Sequence, residues 1–169
     1  YTLGCRGSTW FGDKLRIGIS AQRETTDSAD QTLLGADAML RLTAGTYIKG
    51  EIAQTDGPAF GQANSVDGGL SFTNFAAPGV AGRKARAWKI ETGVDFAELR
   101  GLTGDHGKLS GYYENFDAGY AAASQLTQSD TTRWGAALSL PVGDSTRVTA
   151  KYDELKSGAA GTHMVASIE

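Results

Sequence analysis

The sequence is poor in cysteine and proline, and it has no long apolar run. The single cysteine, Cys5, excludes an internal disulfide framework and any cysteine-based zinc site. No apolar stretch approaches the roughly 20 residues of a membrane-spanning helix. The 16 basic and 19 acidic residues leave a net charge of −3, which gives no electrostatic case for nucleic acid as a partner.

What is abundant is glycine, with 23 residues against only 3 prolines in a chain of 169, a length that suits one domain. This balance is typical of closely packed strands and repeated turns rather than of a disordered chain. The chain carries no signal peptide and begins with Tyr1 rather than Met, so we expect a mature or partial product.

Polar residues alternate with apolar or small ones at a period of two, and no segment sustains a helical period. Each clean run has about ten residues, which span roughly 25 Å when tilted, the height of the hydrocarbon band of an outer membrane. Soluble strands are usually nearer five or six residues long. The clean runs are 14–23, 31–42, 46–55, 86–99, 131–140, 146–155 and the C-terminal residues, and 1–9 and 108–116 match less well.

The connections between these runs differ in length and are expected to alternate, as in outer-membrane barrels. Short ones are predicted at 10–13, 43–45, 101–107 and 141–145, and long ones at 24–30, 56–85 and 117–130. The stretch 56–85 is interpreted as one long external loop, with a short strand or hairpin arm at 65–73. It is the best candidate for a constriction or recognition element.

The predicted fold is therefore all-β: an antiparallel up-and-down transmembrane β-barrel with short turns on one side and long loops on the other. Nine spanning segments result, whereas bacterial barrels usually have an even number. Residues 1–169 are accordingly expected to form either a single β-barrel domain or a fragment of a larger barrel.

The segment 133–155 is predicted to be a hairpin. If Leu140 pairs with Thr146, Trp134 faces Tyr152 at the end far from the turn, and Arg133 faces Asp153 on the other side. Aromatic residues at strand ends are typical of a membrane girdle, whereas a soluble sandwich concentrates them in its core. The predicted girdle comprises Trp10 and Phe11 in a short turn, Trp88 and Phe96 at the two ends of one run, and Trp134 and Tyr152.

The polar face of these runs carries charges of both signs, and it must be wet because burying unpaired charges is costly. If the apolar face meets lipid, the wet face lines a lumen; if it meets a second sheet, the wet face is ordinary solvent-exposed surface. Strand length, loop alternation and end-placed aromatics favour lipid. The predicted pore-lining residues are Lys14, Arg16, Asp37, Arg41, Lys49, Glu51, Lys89, Glu91, Asp95, Arg133, Lys151 and Asp153.

An internal repeat accompanies this pattern. Residues 34–53 align without gaps on 134–153, so that Gly35 matches Gly135 and Leu40 matches Leu140. The alignment indicates a recurring hairpin unit, although two hairpins of similar composition can also match by chance.

Stretches such as GADAMLRLTAGTYIKGEIAQTDGPAFGQ, SVDGGLSF and APGVAGRKARAWKIETGVDF resemble Gram-negative outer-membrane β-barrel proteins, more narrowly the barrel region of large bacterial surface proteins. The resemblance implies a place in the bacterial outer membrane, with the lipid bilayer and the barrel assembly machinery as partners. The C-terminal insertion signal of such barrels is a strand ending in Phe or Trp. This chain ends in MVASIE, so further chain, or association into a homo-oligomer, is expected.

Catalytic and metal-binding interpretations find little support in the sequence. His106 lies in a turn and His163 on a terminal strand, without metal-ligand spacing, and Ser110 has no placed catalytic partners. The basic cluster GRKAR at 82–86 could contact lipopolysaccharide phosphates, or it could be a solvated loop edge. We therefore expect a non-enzymatic barrel without cofactor or metal, acting as a passive pore or as a membrane anchor. The alternative is a soluble or surface-exposed β-sandwich, or a self-assembling β protein, with a structural or binding role.

Overall fold

The computed structural model describes residues 1–25, 30–57, 62–64, 73–75, 84–122, 125–127, 129–143, 145–158 and 161–168. The described chain is almost entirely β-structure. The elements are β1 (Thr2–Phe11), β2 (Leu15–Thr25), β3 (Asp30–Arg41), β4 (Tyr47–Asp56), β5 (Gln62–Asn64), β6 (Thr73–Phe75), β7 (Ala85–Asp95), α1 (Phe96–Arg100), β8 (Lys108–Phe116), β9 (Ala121–Ala122), β10 (Gln125–Leu126), β11 (Thr131–Val142), β12 (Thr146–Ser157) and β13 (Gly161–Ile168).

Nine of the strands form one antiparallel up-and-down sheet, in the order β1-β2-β3-β4-β7-β8-β11-β12-β13. The sheet is open: β1 and β13 are its two edges, and no pairing joins them within the described residues. The short strands form two separate pairs, β5 with β6 and β9 with β10. Within the same residues, no helix has the length and apolarity that crossing a membrane requires.

The expected antiparallel meander is confirmed, but several strand boundaries differ from the predicted ones, and two of these differences change the position of predicted girdle residues. β1 continues to Phe11, so Trp10 and Phe11 lie in a strand and not in a turn. β7 ends at Asp95, and Phe96 opens the short helix α1 instead of continuing the strand to residue 99. The Asp95 carboxylate caps this helix by accepting from the N–H groups of Ala97 and Glu98, which fixes the boundary.

The connections fall into two groups, at opposite ends of the strands. One end, here called the loop end, carries the links at 26–29, 57–84, 117–130 and 158–160; the other, the turn end, carries 12–14, 42–46, 96–107 and 143–145. The longest links do lie at the loop end. However, the link predicted as long at 24–30 is only 26–29, and the turn end holds α1 within 96–107, so the predicted alternation of lengths holds only in part.

The predicted register of the hairpin formed by β11 and β12 was wrong by two residues. Val142, not Leu140, pairs with Thr146, and Trp134 is paired with Glu154 rather than Tyr152. A shift of two keeps every side chain on its predicted face, because the side-chain period of a strand is also two. The repeated segments share this register: Leu140 pairs with Val148 just as Leu40 pairs with Ile48.

Most of the predicted external loop 56–85 lies outside the described residues, including the arm placed at 65–73 except for Thr73. The described part contains β5 and β6, which pair with each other through Gln62 and Phe75 at one end and Asn64 and Thr73 at the other.

Candidate functional site

The two faces of the sheet differ sharply in chemistry. Pairing places Lys49 and Glu51 on one face, the polar face, and Ile48 and Ile52 on the other, the apolar face. The polar face carries all but one of the predicted pore-lining residues: Arg16, Asp37, Arg41, Lys49, Glu51, Lys89, Glu91, Asp95, Arg133, Lys151 and Asp153. Lys14 is different, since it lies in the turn before β2.

Charges on the polar face are paired within and between strands. Lys49 Nζ lies 2.7 Å from Glu51 Oε1 and Lys151 Nζ lies 3.1 Å from Asp153 Oδ2, each pair along one strand. Across strands, Arg133 Nε donates to Glu114 Oε1 at 2.6 Å. The Glu114 side chain is only 5% exposed, so the carboxylate is buried together with a partner. Pairing of this kind compensates the cost of holding charge at a crowded surface.

Asp37 is the centre of a second cluster, near the other edge of the sheet. Arg6 Nη2 and Arg16 Nη2 donate to its two carboxylate oxygens at 2.7 and 3.1 Å. Arg6 is on β1 and Asp37 is on β3, so this contact crosses the intervening strand β2. The space for it comes from Gly18, where a Cβ would lie 2.4 Å from Asp37 Oδ1.

Gly135 leaves space in the same way at the point where the Tyr112 side chain crosses β11. Tyr112, Gly135 and Asp153 occupy one cross-strand row, and the Tyr112 hydroxyl donates to Asp153 Oδ1 at 2.6 Å. A Cβ at Gly135 would lie 2.5 Å from that carboxylate oxygen and 2.8 Å from Tyr112 Cε1. Tyr47, which departs from the charge alternation of its strand, lies over Gly93 in a similar way and donates to Glu91. These tyrosines tie strands together across the polar face.

The apolar face is largely uncovered. Ile19 is 66% exposed, Ile52 54% and Ile90 46%, although all three lie within long central runs of strand. Buried positions on the polar face are instead small or polar: Ala85 is fully buried, Thr55 is 1% exposed and Asp37 is 8% exposed. The distribution is the reverse of that in a water-soluble domain, where large apolar side chains are inside.

Aromatic rings form a row across the apolar face, here called the aromatic row. Trp88 stacks on Tyr113 with ring centroids 5.0 Å apart, and Trp134 contacts Tyr152 at 4.8 Å. One step nearer the loop end, the same face becomes polar. The residues there are Arg86, Asn115, Thr132, Glu154 and Lys156.

The other predicted girdle residues take separate positions. Phe11 is on the apolar face at the turn end, paired with Leu15. Trp10 is on the polar face, where the Arg41 guanidinium lies 4.6 Å from the centroid of its ring. Phe96 belongs to α1, so it is in a turn-end link rather than on a strand.

Four residues of these two faces were not identified from the sequence. Arg6, Tyr112 and Glu114 form contacts on the polar face, and Tyr113 belongs to the aromatic row. β8 had been a poor match to the alternation because it carries tyrosine on both faces, at adjacent positions 112 and 113, and a glycine on the apolar face. This mixed pattern does not indicate which side chains of β8 lie on the polar face, whereas the pairing of β8 with β7 and β11 does.

Asp105 and His106 are neighbours in the turn-end link 96–107, and their side chains contact different groups. Arg147 donates to Asp105 and holds the pKa of that carboxyl below its usual value, and the N–H of Gly107 lowers it further. The His106 ring instead lies 3.2 Å from the Thr103 carbonyl oxygen. In the described part of the chain, no cluster of three or more histidine, cysteine, aspartate or glutamate side chains could hold a metal ion.

No protein-family model, curated protein or solved structure matches this chain.

Proposed function

We propose that the chain forms much of the wall of an integral outer-membrane β-barrel and that the barrel is a passive, water-filled pore. In this proposal the apolar face contacts acyl chains and the polar face lines the lumen. The observation that carries it is the inverted burial: large apolar side chains are exposed along the whole sheet, whereas carboxylates such as Glu114 are buried.

Water is an unfavourable environment for such an apolar face. Soluble monomers rarely expose contiguous apolar patches above a few hundred Å². Each Å² of apolar surface that stays in water loses about 25 cal/mol of favourable transfer free energy. Ile17, Ile48, Ile90, Leu140 and Met164 belong to this exposed face and lie on different strands, so the patch crosses most of the sheet. Lipid removes the penalty without requiring a second protein layer.

The aromatic row supports a membrane boundary on the loop-end side. Tryptophan and tyrosine favour the interface between headgroups and acyl chains. Trp88 and Trp134 lie between the aliphatic residues below them and the charged residues Arg86 and Lys156 beyond them. A hydrocarbon layer that ends at this row would match the change in side-chain chemistry.

Closure of the barrel by antiparallel pairing would need additional strands. β1 and β13 are the first and last of nine strands that alternate in direction, so they run the same way and cannot pair antiparallel with each other. An odd number of further strands, supplied by more chain, would join the two edges in antiparallel fashion and give the even total usual for bacterial barrels.

The pairing of charges on the polar face determines how strongly such a pore would select ions. Because Lys49, Lys89 and Lys151 each lie within 3.1 Å of a carboxylate, the polar face has little net charge to select ions. We expect weak ion preference and non-enzymatic, diffusive passage of small solutes.

A second candidate function is a membrane anchor for a larger surface protein. Tyr120 and its described neighbours in the link after β8 favour it, because they lie over the polar face at the loop end and would leave less open cross-section. Conductance distinguishes the two: a pore conducts in a planar bilayer, and a plain anchor does not.

The test of the membrane proposal is extraction and reconstitution. We expect the protein to need detergent for extraction, to float with phospholipid vesicles after a urea wash, and to migrate faster on gels before heating than after. A protein that stays monomeric and folded in detergent-free buffer would contradict the proposal and favour the soluble β-sandwich.

A further inference from the structure

The described residues at the start of the link between β8 and β11 turn inward over the polar face instead of projecting away from the sheet. It is attached at its base, where Asp117 N donates to the Arg86 carbonyl at 2.8 Å and Arg86 N donates to Asp117 Oδ2 at 3.0 Å. It then closes on itself: Gly119 N and Thr127 N donate to the carbonyls of Thr127 and Tyr120 at 2.7 and 2.9 Å. We call residues 117–122 and 125–127 of this link the inner hairpin.

Tyr120 fixes the inner hairpin to the polar face. Its side chain is 7% exposed and packs on Ala85 and Ala87, with its ring centroid 5.8 Å from that of Phe116. The next residue, Ala121, donates its N–H to Thr55 Oγ1 at 3.4 Å. Burial raises the pKa of the Tyr120 hydroxyl, and the nearby Glu51 carboxylate raises it further, so the hydroxyl stays neutral at physiological pH.

The surface beneath Tyr120, here called the alanine seat, is formed by Ala53, Ala85 and Ala87. It explains an irregularity in the polar face. On β4 and β7 the charged positions give way toward the loop end to Ala53, Ala85 and Ala87, which leave room for a side chain from above. Small residues alone would leave open space above this level of the polar face. The inner hairpin fills that space immediately beside the charged level that begins at Glu51 and Lys89.

We propose that the inner hairpin is the constriction of the pore, held in place by Tyr120 on its alanine seat, and that solutes entering from the loop end pass it before they reach the paired charges. This role rests on the proposed pore function. The proposal differs from the sequence-based candidate, the 56–85 loop, most of which lies outside the described residues.

The test compares conductance in planar bilayers for the parent, Tyr120→Ala and Asp117→Ala, all carrying Cys5→Ser. Tyr120→Ala removes the ring that packs on Ala85 and Ala87, and Asp117→Ala removes one of the two hydrogen bonds at the base of the hairpin. Both changes loosen the hairpin, so both variants should conduct more than the parent. Tyr1→Ala is the matched control, because Tyr1 is 80% exposed and touches no part of the hairpin seat. Flotation with vesicles and heat-dependent gel migration establish that each variant is folded and inserted.

A second measurement reports the seat directly. Ala87→Cys should resist a membrane-impermeant thiol reagent in the parent and react once Tyr120→Ala is added, whereas Ser110→Cys, exposed on the same face, should react in both. Equal conductance of parent and released variants, or free reactivity of Ala87→Cys in the parent, overturns the constriction and leaves the pore standing. Absence of conductance in every inserted variant overturns the pore and the constriction together.

Discussion

Replacing Gly135 by alanine should have an effect far larger than the addition of one methyl group suggests. The new methyl group would lie 2.5 Å from Asp153 Oδ1, 2.8 Å from Tyr112 Cε1 and 2.8 Å from the Tyr152 carbonyl oxygen. The last of these is backbone, so the strand pair itself must move. Tyr112 and Asp153 must then separate, and their 2.6 Å hydrogen bond is lost.

The size of the effect follows from two contributions. Overpacking of this kind costs about 1–3 kcal/mol, and a hydrogen bond to a charged group contributes about 1.5–3 kcal/mol. Because the two overlap, we expect Gly135→Ala to lower the free energy of unfolding by about 3 kcal/mol. The matched control is Gly50→Ala, on a central strand of the same sheet, where a Cβ meets nothing within 4 Å. That variant should be neutral or more stable by about 0.5 kcal/mol.

Urea titrations of the folded protein in lipid vesicles, followed by tryptophan fluorescence, measure both variants. A further variant, Tyr112→Ala, removes one of the three clashes, so Gly135→Ala should cost less in that background than in the parent. Equal stability of Gly135→Ala and Gly50→Ala would refute the reasoning, because it would mean that no side chain crosses β11 at this point.

Replacing Ile90 by lysine should destabilise the inserted protein by about 2–4 kcal/mol; the same urea titration in vesicles checks it, and no change would mean that Ile90 faces water. Asp37→Asn weakens two arginine contacts at a buried carboxylate and should cost about 2 kcal/mol, so parent-like stability would argue against that cluster. Asp105→Asn should lower stability only at pH values where Asp105 is ionised. Arg147 lowers the pKa of Asp105 in the folded protein. The contact therefore stabilises the fold above the ordinary aspartate pKa, and this stabilisation is lost as the pH falls through the lowered value. The stability difference between parent and Asp105→Asn should therefore be present at pH 6 and vanish in strong acid, and a difference that persists in acid would contradict this origin.

The strands could be predicted because their signal is local. Alternation along β4, for example, assigns Lys49 and Glu51 to one face and Ile48 and Ile52 to the other without any knowledge of neighbours. The same property limits the prediction of register. Pairing Leu140 or Val142 with Thr146 leaves every residue on the same face, so the alternation cannot choose between them.

The helix α1 was missed although the sequence carries its signals. Asp95 at the N-cap, Glu98 in the first turn and Gly101 after the last turn are the usual marks of a short helix, and Gly101 adopts a φ of 66° there. They were missed because Phe96 continues the alternation of Val94 beyond Asp95, which favoured a longer strand.

The inner hairpin could not be predicted from its own sequence. Its position depends on Tyr120 meeting Ala85 and Ala87, which belong to a strand more than thirty positions earlier in the chain. The alanines were visible as a gap in the charged row, but nothing local indicates which loop would fill it. Contacts of this kind become apparent only when the sheet is assembled.

The central claim is that the apolar face contacts lipid and the polar face contacts water, and a nitroxide scan along β4 tests it most directly. Single cysteines at positions 48–52, introduced with Cys5→Ser and spin-labelled in vesicles, report collisions with oxygen, which concentrates in lipid, and with a water-soluble nickel chelate. The account predicts strict alternation: oxygen access at Ile48, Gly50 and Ile52, and nickel access at Lys49 and Glu51. Nickel access at every position, or shielding of Ile48 and Ile52 from both probes, would contradict it.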